Sequence, residues 1–204
     1  MPHTIRAEDQ LAALFGTVAE ASRTKETATL HSLYRQWIEA SPFAVLATAG
    51  PGGLDCSPRG DAAPLVRIVD DHTLLLPERR GNNRIDGLRN MLVDPRVALI
   101  FFVPGVNETV RVNGRASITV EPSLMRSFAV EGAEPKCVVE VKVDTVFFQC
   151  GRALIRSGLW DHAPGHRPEG VPSAGMILGA LSAAAIDGEA YDRELPQRLR
   201  GSLY

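Results

Sequence analysis

The run Leu74-Leu75-Leu76-Pro77-Glu78-Arg79-Arg80-Gly81-Asn82-Asn83-Arg84 puts chemically useful side chains in the tightest arrangement of the chain. It reads as a buried strand that breaks at Pro77, crosses a basic turn, and opens a short helix through Asn82 or Asn83. A helix start carries unpaired N–H groups and a partial positive charge, so it attracts an anion. Gly81 allows close backbone approach, either asparagine can cap, and Arg79, Arg80 and Arg84 bring forked donors that suit a phosphate. The same residues also make an ordinary capped turn with solvated arginines, and local sequence does not separate the two readings.

Other groupings are weaker. Arg59-Gly60-Asp61 reads as a strand end where Arg59 supplies charge near an anion and Asp61 orients or caps, against a plain surface turn. Between Cys150 and Trp160, Arg152, Arg156 and Trp160 offer guanidinium groups and an aromatic plane that suit a flat heteroaromatic ligand and its phosphate. Taken alone, Trp160 is better read as an edge residue packed on a neighbour or a second subunit. His162 and His166 stand i, i+4 beside Asp161, but Pro164-Gly165 between them argues for a loop, so no metal site is expected. The chain has no G-x-S-x-G elbow, Walker loop or kinase signature. No catalytic side chain is assigned, and a cofactor is the simpler source of chemistry.

The elements that must position these residues follow from periodicity. Leu11, Leu14, Phe15 and Val18 mark one face of a helix over 8–19, and Leu30, Leu33, Tyr34, Trp37 and Ile38 mark another over 25–40. Ser41-Pro42 ends the second. Residues 43–48, 54–58, 64–69 and 72–76 read as short strands with close turns, and the Asn82/Asn83 helix runs to Leu92. Residues 97–103 are nearly all apolar, the pattern of a strand at the centre of a sheet. Thr109, Arg111 and Asn113 alternate with Val110 and Val112, so one side of that strand is core and the other is wet or lines a site. A short helix over 122–130, a strand through 139–148, a helical turn over 151–157, a loop over 161–173 and a last helix near 176–184 complete the reading, with a charged tail. Short strands in this density indicate an antiparallel barrel, whereas a Rossmann fold needs long crossover helices.

Length and composition narrow the class. At 204 residues with a formal charge of −2, the chain lacks the basic excess of a dedicated nucleic-acid binder. No apolar run reaches membrane-spanning length and residues 1–6 lack a signal-peptide layout, so a cytoplasmic protein with no membrane partner is expected. Its three cysteines form no C-x-x-C pair, which suits a reduced compartment. One domain over 1–204 is expected, with a helical appendage at 1–40, a barrel at 43–150, and helices and loop at 151–204.

In order and spacing, several motifs resemble the pyridoxamine 5'-phosphate oxidase-like, FMN-binding split-barrel family. They are Ser41-Pro42-Phe43, Ser57-Pro58-Arg59-Gly60-Asp61, Leu76-Pro77, Gly81-Asn82-Asn83-Arg84, Asn90, Asp94-Pro95-Arg96-Val97, Arg111 to Ala116, Cys150-Gly151 and Arg156-Ser157-x-Leu159-Trp160. Together they are similar to a bacterial subgroup rather than to the oxidase itself, over about residues 25–160. The resemblance implies a mainly β fold, a six- to seven-stranded antiparallel split barrel of Greek-key type with flanking helices. It also implies a homodimer with two FMN sites at the interface. Leu76 and Pro77 would meet the ring or ribityl chain; Gly81, Asn82, Asn83 and Arg84 would hold the phosphate, joined by Arg59. Arg156 and Trp160 would come from the partner subunit, and Thr109 and Arg111 rank lower as polar contacts.

This chain departs from the true oxidases in two places. Asn82-Asn83-Arg84 stands where they carry a serine–arginine–lysine run, and their C-terminal arginine/histidine substrate motif has no match after Trp160. The expected activity is therefore an FMN-dependent oxidoreductase acting on a small molecule, with a reducing nicotinamide or flavin as candidate electron donor. The rival readings are a non-catalytic flavin or haem storage or sensing module and a deazaflavin-dependent reductase.

Overall fold

The computed structural model describes residues 3–161, 165 and 167–204. Helices α1 (Glu8–Phe15), α2 (Glu20–Thr24) and α3 (Ser32–Glu39) lead into strands β1 (Phe43–Gly50), β2 (Gly53–Gly60), β3 (Arg67–Asp70) and β4 (Thr73–Glu78). Next come α4 (Asp86–Val93), β5 (Arg96–Phe102), β6 (Thr109–Thr119), α5 (Pro122–Ser127) and β7 (Cys137–Gln149). The chain finishes with α6 (Arg152–Ser157), α7 (Ala174–Leu181) and α8 (Gly188–Arg200).

All seven strands join one antiparallel sheet in the order β2-β1-β5-β6-β7-β4-β3. The fold is mainly β with flanking helices, as expected of a split barrel, and the sheet is not closed: β2 and β3 form its two edges. Alternation explains which face is core. Ala44 and Leu46 on β1, Leu99 and Phe101 on β5, Val110 and Val112 on β6, and Val139 and Val141 on β7 are at most 1% exposed. Their neighbours along each strand are mostly half-buried.

Strand β5 shows the same alternation rather than two covered faces, and it stands third in the sheet; the centre is β6. The register of β6 against β7 shifts at Asn113/Gly114, and a Cβ at Gly114 would lie 2.2 Å from the Lys142 carbonyl oxygen. Only glycine admits that approach. Strand β4 does not break at Pro77 but runs on to Glu78, pairing with β7. Its other neighbour, β3, ends its pairing at Leu75, so Pro77 sits where β4 has a partner on one side only, a place sheets tolerate proline.

The helices differ more from expectation. Of the helix expected over 25–40 only α3 (Ser32–Glu39) forms; the first residues of that span are not helical, with Thr27 bridging to Val146 of β7, and the short α2 lies ahead of it. Helix α1 stops at Phe15, with Leu11, Leu14 and Phe15 all exposed. A 13-residue helix, α8, stands where only a charged tail was expected. It packs on α7 so tightly that a Cβ at Gly175 would lie 2.0 Å from the Gly188 carbonyl oxygen. Helix α4 lies against the β1–β2 hairpin in the same way, since a Cβ at Gly50 would meet Asn90 Oδ1 at 2.2 Å. This last contact fixes the wall of the site.

Candidate functional site

The two ends of the open sheet approach each other where β2 finishes and β4 finishes. On β2, Asp55, Ser57 and Arg59 are the half-buried positions that alternate with exposed Cys56 and Pro58. Arg59 Nε donates to Glu78 Oε2 at 3.0 Å, joining β2 to β4 through side chains instead of ladder hydrogen bonds. One step outward, Arg79 Nε donates to Asp61 Oδ2 at 2.8 Å, and Arg79 Nη1 donates to the Phe128 carbonyl at 2.7 Å. These two ion pairs tie the split together.

A cavity of about 460 Å³ opens beside them, between β2, the end of β4, the turn 80–85 and the start of α4. Pro77, Arg59, Arg79, Arg80, Gly81, Asn82, Asn83 and Arg84 all line it, so eight of the residues singled out above converge on one space. Leu76 does not: it is 0% exposed and belongs to the central core. Thr109, Arg111, Arg156 and Trp160 also lie off this cavity.

The basic turn differs from its sequence reading in one respect. Helix α4 begins at Asp86, with Ile85 at its N-cap and no side-chain cap, so neither asparagine opens it. Asn82 Oδ1 instead accepts from the Arg84 backbone N–H at 2.9 Å, an Asx-type turn that leaves Asn83 in the left-handed region at φ 59°. Asp86 occupies the first helical turn and accepts from Arg84 Nε at 2.7 Å. The helix start thus already carries a carboxylate, and the turn's own N–H groups and cations are what remain for an anion.

Electrostatics separate the pairs. Burial raises the Glu78 carboxyl above its ordinary value, and the Arg59 charge and hydrogen bond only partly offset this. Burial also pushes Asp61 upward, but hydrogen bonds from Tyr204, Arg79 and the Ala62 N–H outweigh it and the net direction is down. Tyr204 Oη donates to Asp61 Oδ1 at 2.7 Å, which sets the tyrosine against this pair. Cys137, opposite Glu78 in the β4–β7 register, is raised by burial and by the Glu78 charge.

The remaining predicted residues hold other positions. Thr109 is 3% exposed, contrary to a wet face, because β6 begins inside the β5–β7 layer. Arg111 lies 5.5 Å over the Phe147 ring. Trp160 Nε1 donates to the Val106 carbonyl at 3.0 Å, and Arg156 is exposed on α6. A second cavity, about 400 Å³, lies near this end between Lys25, Tyr34, Trp37, Val110 and Phe148, and none of the predicted residues lines it. His162 and His166, weighed as metal ligands, lie outside the described residues; among those described, no group of three His, Cys, Asp or Glu could hold a metal ion.

Sequence reading missed Glu78, the Asp61–Arg79 pair and Lys136, which also lines the cavity. Glu78 had a local signal, being an acid directly beside a basic turn. Lys136 had none, because only the β4–β7 register brings it near, with its N–H bonded to the Glu78 carbonyl at 2.8 Å.

No helix of the described chain is long and apolar enough to cross a membrane. Among known proteins, a model of the pyridoxamine 5'-phosphate oxidase family matches residues 30–150, which contain the whole cavity. No curated protein matches the chain. Among solved structures, HupZ from Group A Streptococcus is 20% identical, covering 56% of this chain and 91% of that one at a TM-score of 0.45. A putative pyridoxamine 5'-phosphate oxidase from Lactobacillus delbrueckii is 20% identical over 59% of this chain and 95% of that one, at 0.45. An FMN-binding protein from Syntrophomonas wolfei is 12% identical over 57% of this chain and 83% of that one, at 0.43. With the family model matched over more than half its length, this chain belongs to the pyridoxamine 5'-phosphate oxidase family.

Proposed function

We propose that the chain is an FMN-dependent oxidoreductase acting on a small molecule, with the FMN phosphate held in the cavity between β2 and β4. The observation that carries this reading is convergence. Residues chosen from sequence for an anion, Arg59 and Gly81 to Arg84, line one cavity of about 460 Å³, a size usual for small-molecule sites. The donor set fits a phosphate, since the turn offers the Asn82 and Asn83 amides, backbone N–H groups and cations.

When bound, FMN supplies the hydride or electron transfer. The chain's own part is to bind and orient. The Arg59–Glu78 pair keeps the β2 wall fixed against β4, Pro77 gives an apolar edge, and the turn 81–84 supplies donors to the anionic end. The reading includes a homodimer in which exposed Arg156 and part-exposed Trp160 face the cavity of the second copy, whereas buried Thr109 and Arg111, which covers Phe147, take no part in it.

The purified protein should be yellow or take up added FMN, with the released ligand identified by chromatography, and should sediment as a dimer. A colourless protein that takes up no FMN would end the reading, and a monomer that still binds FMN would end its dimer part. Saturable oxidation of NADH or NADPH with varied acceptors would separate an enzyme from a flavin store.

A further inference from the structure

The arginines at the cavity are not equivalent, because most already have a carboxylate. Arg59 is bound to Glu78 with the two side chains 17% and 19% exposed, and Arg79 to Asp61 at 15% and 8%. Arg84 is bound to Asp86 in the open, at 80% and 38%. Drawing Arg59 or Arg79 onto a phosphate would strand a part-buried carboxylate beside a dianion, which is unfavourable twice over. Two cations that line the cavity, Arg80 and Lys136, have no side-chain hydrogen bond or ion pair among the described residues. They approach from different elements: Arg80 from just past the end of β4, and Lys136 from just before β7, where its N–H is tied to Glu78.

We propose that Arg80 and Lys136 are the anchoring cations for the anionic group of the cavity's ligand, a phosphate monoester, while Arg59 and Arg79 act as structural latches. This rests on the flavin reading for the identity of the ligand, but not for the charge it carries. Neither residue belongs to the Gly81 to Arg84 motif, and Lys136 is distant from it in sequence. Two uncommitted cations match the two negative charges of a phosphate monoester. Arg84 is a third donor that must first leave Asp86.

The test compares FMN with riboflavin, which differ only in the phosphate, by quenching of flavin fluorescence. Wild type should bind FMN more tightly than riboflavin. In Arg80→Ala/Lys136→Ala, FMN affinity should fall about tenfold or more while riboflavin stays within about threefold, since each charged hydrogen bond is worth roughly a factor of ten. The charge-keeping pair Arg80→Lys/Lys136→Arg should recover most of the loss, and both side chains are exposed, so thermal melting should be unchanged. A double variant that keeps the wild-type preference for FMN overturns the assignment. If wild type binds neither flavin, the flavin reading fails by itself, and inorganic phosphate followed by phosphorus NMR decides the rest. Phosphate binding lost in the double variant upholds the two cations, and phosphate binding absent or unaffected refutes them.

Discussion

The two ends of the sheet treat their predicted residues in opposite ways. Where β2 meets β4, side chains bridge a split and leave a cavity beside which Arg80 and Lys136 have no ion-pair partner among the described residues. Where β6 begins and β7 ends, the predicted residues are built into the protein itself: Thr109 is buried, Arg111 covers Phe147, and Trp160 binds the Val106 carbonyl. The same residue types therefore mean different things at the two ends. At the β6–β7 ladder an arginine packs on an aromatic ring, whereas at the split Arg59 and Arg79 latch the opening and Arg80 is left for a ligand.

Leu76 tests this contrast with the largest effect. It stands next to the cavity in sequence but at 0% exposure in space, so Leu76→Ala should cost about 2–5 kcal/mol in urea denaturation. A variant of wild-type stability that loses only ligand would move Leu76 to the cavity side. Next is the latch. Arg59→Ala leaves the raised, part-buried Glu78 unpaired and should cost about 2 kcal/mol at pH 7, a figure reduced from the fully buried case for partial exposure. If stability is unchanged, the split is not held by that pair.

The second latch carries a pH signature. Because Asp61 has a lowered pKa in the folded protein, it contributes stability above the ordinary carboxylate value of 3.8 that is lost as pH falls through its folded value. Asp61→Asn should therefore be less stable than wild type by about 1–2 kcal/mol near neutral pH, with the gap closing in acid. A gap that widens in acid would give Asp61 the opposite sign. At the other end, Trp160→Phe removes one hydrogen bond and should cost about 1 kcal/mol by thermal melting. Smallest of all, Arg84→Ala should leave the thermal melting temperature unchanged, since its pair with Asp86 is exposed, and a clear drop would show that the turn is held by that pair.

Much of this was legible beforehand. Alternation along 109–116 and 139–148 located two interior strands, because a period of two follows directly from one buried face, whereas 43–48 and 97–103 were legible only as apolar runs. The cavity lining was legible where it is contiguous, from Gly81 to Arg84, and where a strand end supplies Arg59. Lys136 was not, since its place depends on the pairing of Glu78 with Cys137 across β4 and β7. The capping role given to Asn82 or Asn83 failed because the side chain closed a local turn first, and α4 began only at Asp86. Helix α8 escaped notice because it is rich in charge, contains Pro196, and is held by close backbone packing on α7 that no periodicity reveals.

A crystal structure of the protein grown with FMN tests most directly the proposed seat of the phosphate in the cleft between β2 and β4. The phosphate should lie within hydrogen-bonding distance of the 81–84 turn and of Arg80 and Lys136. A phosphate bound instead near Trp160 of the same chain, or in the cavity between Tyr34, Trp37 and Phe148, would contradict it.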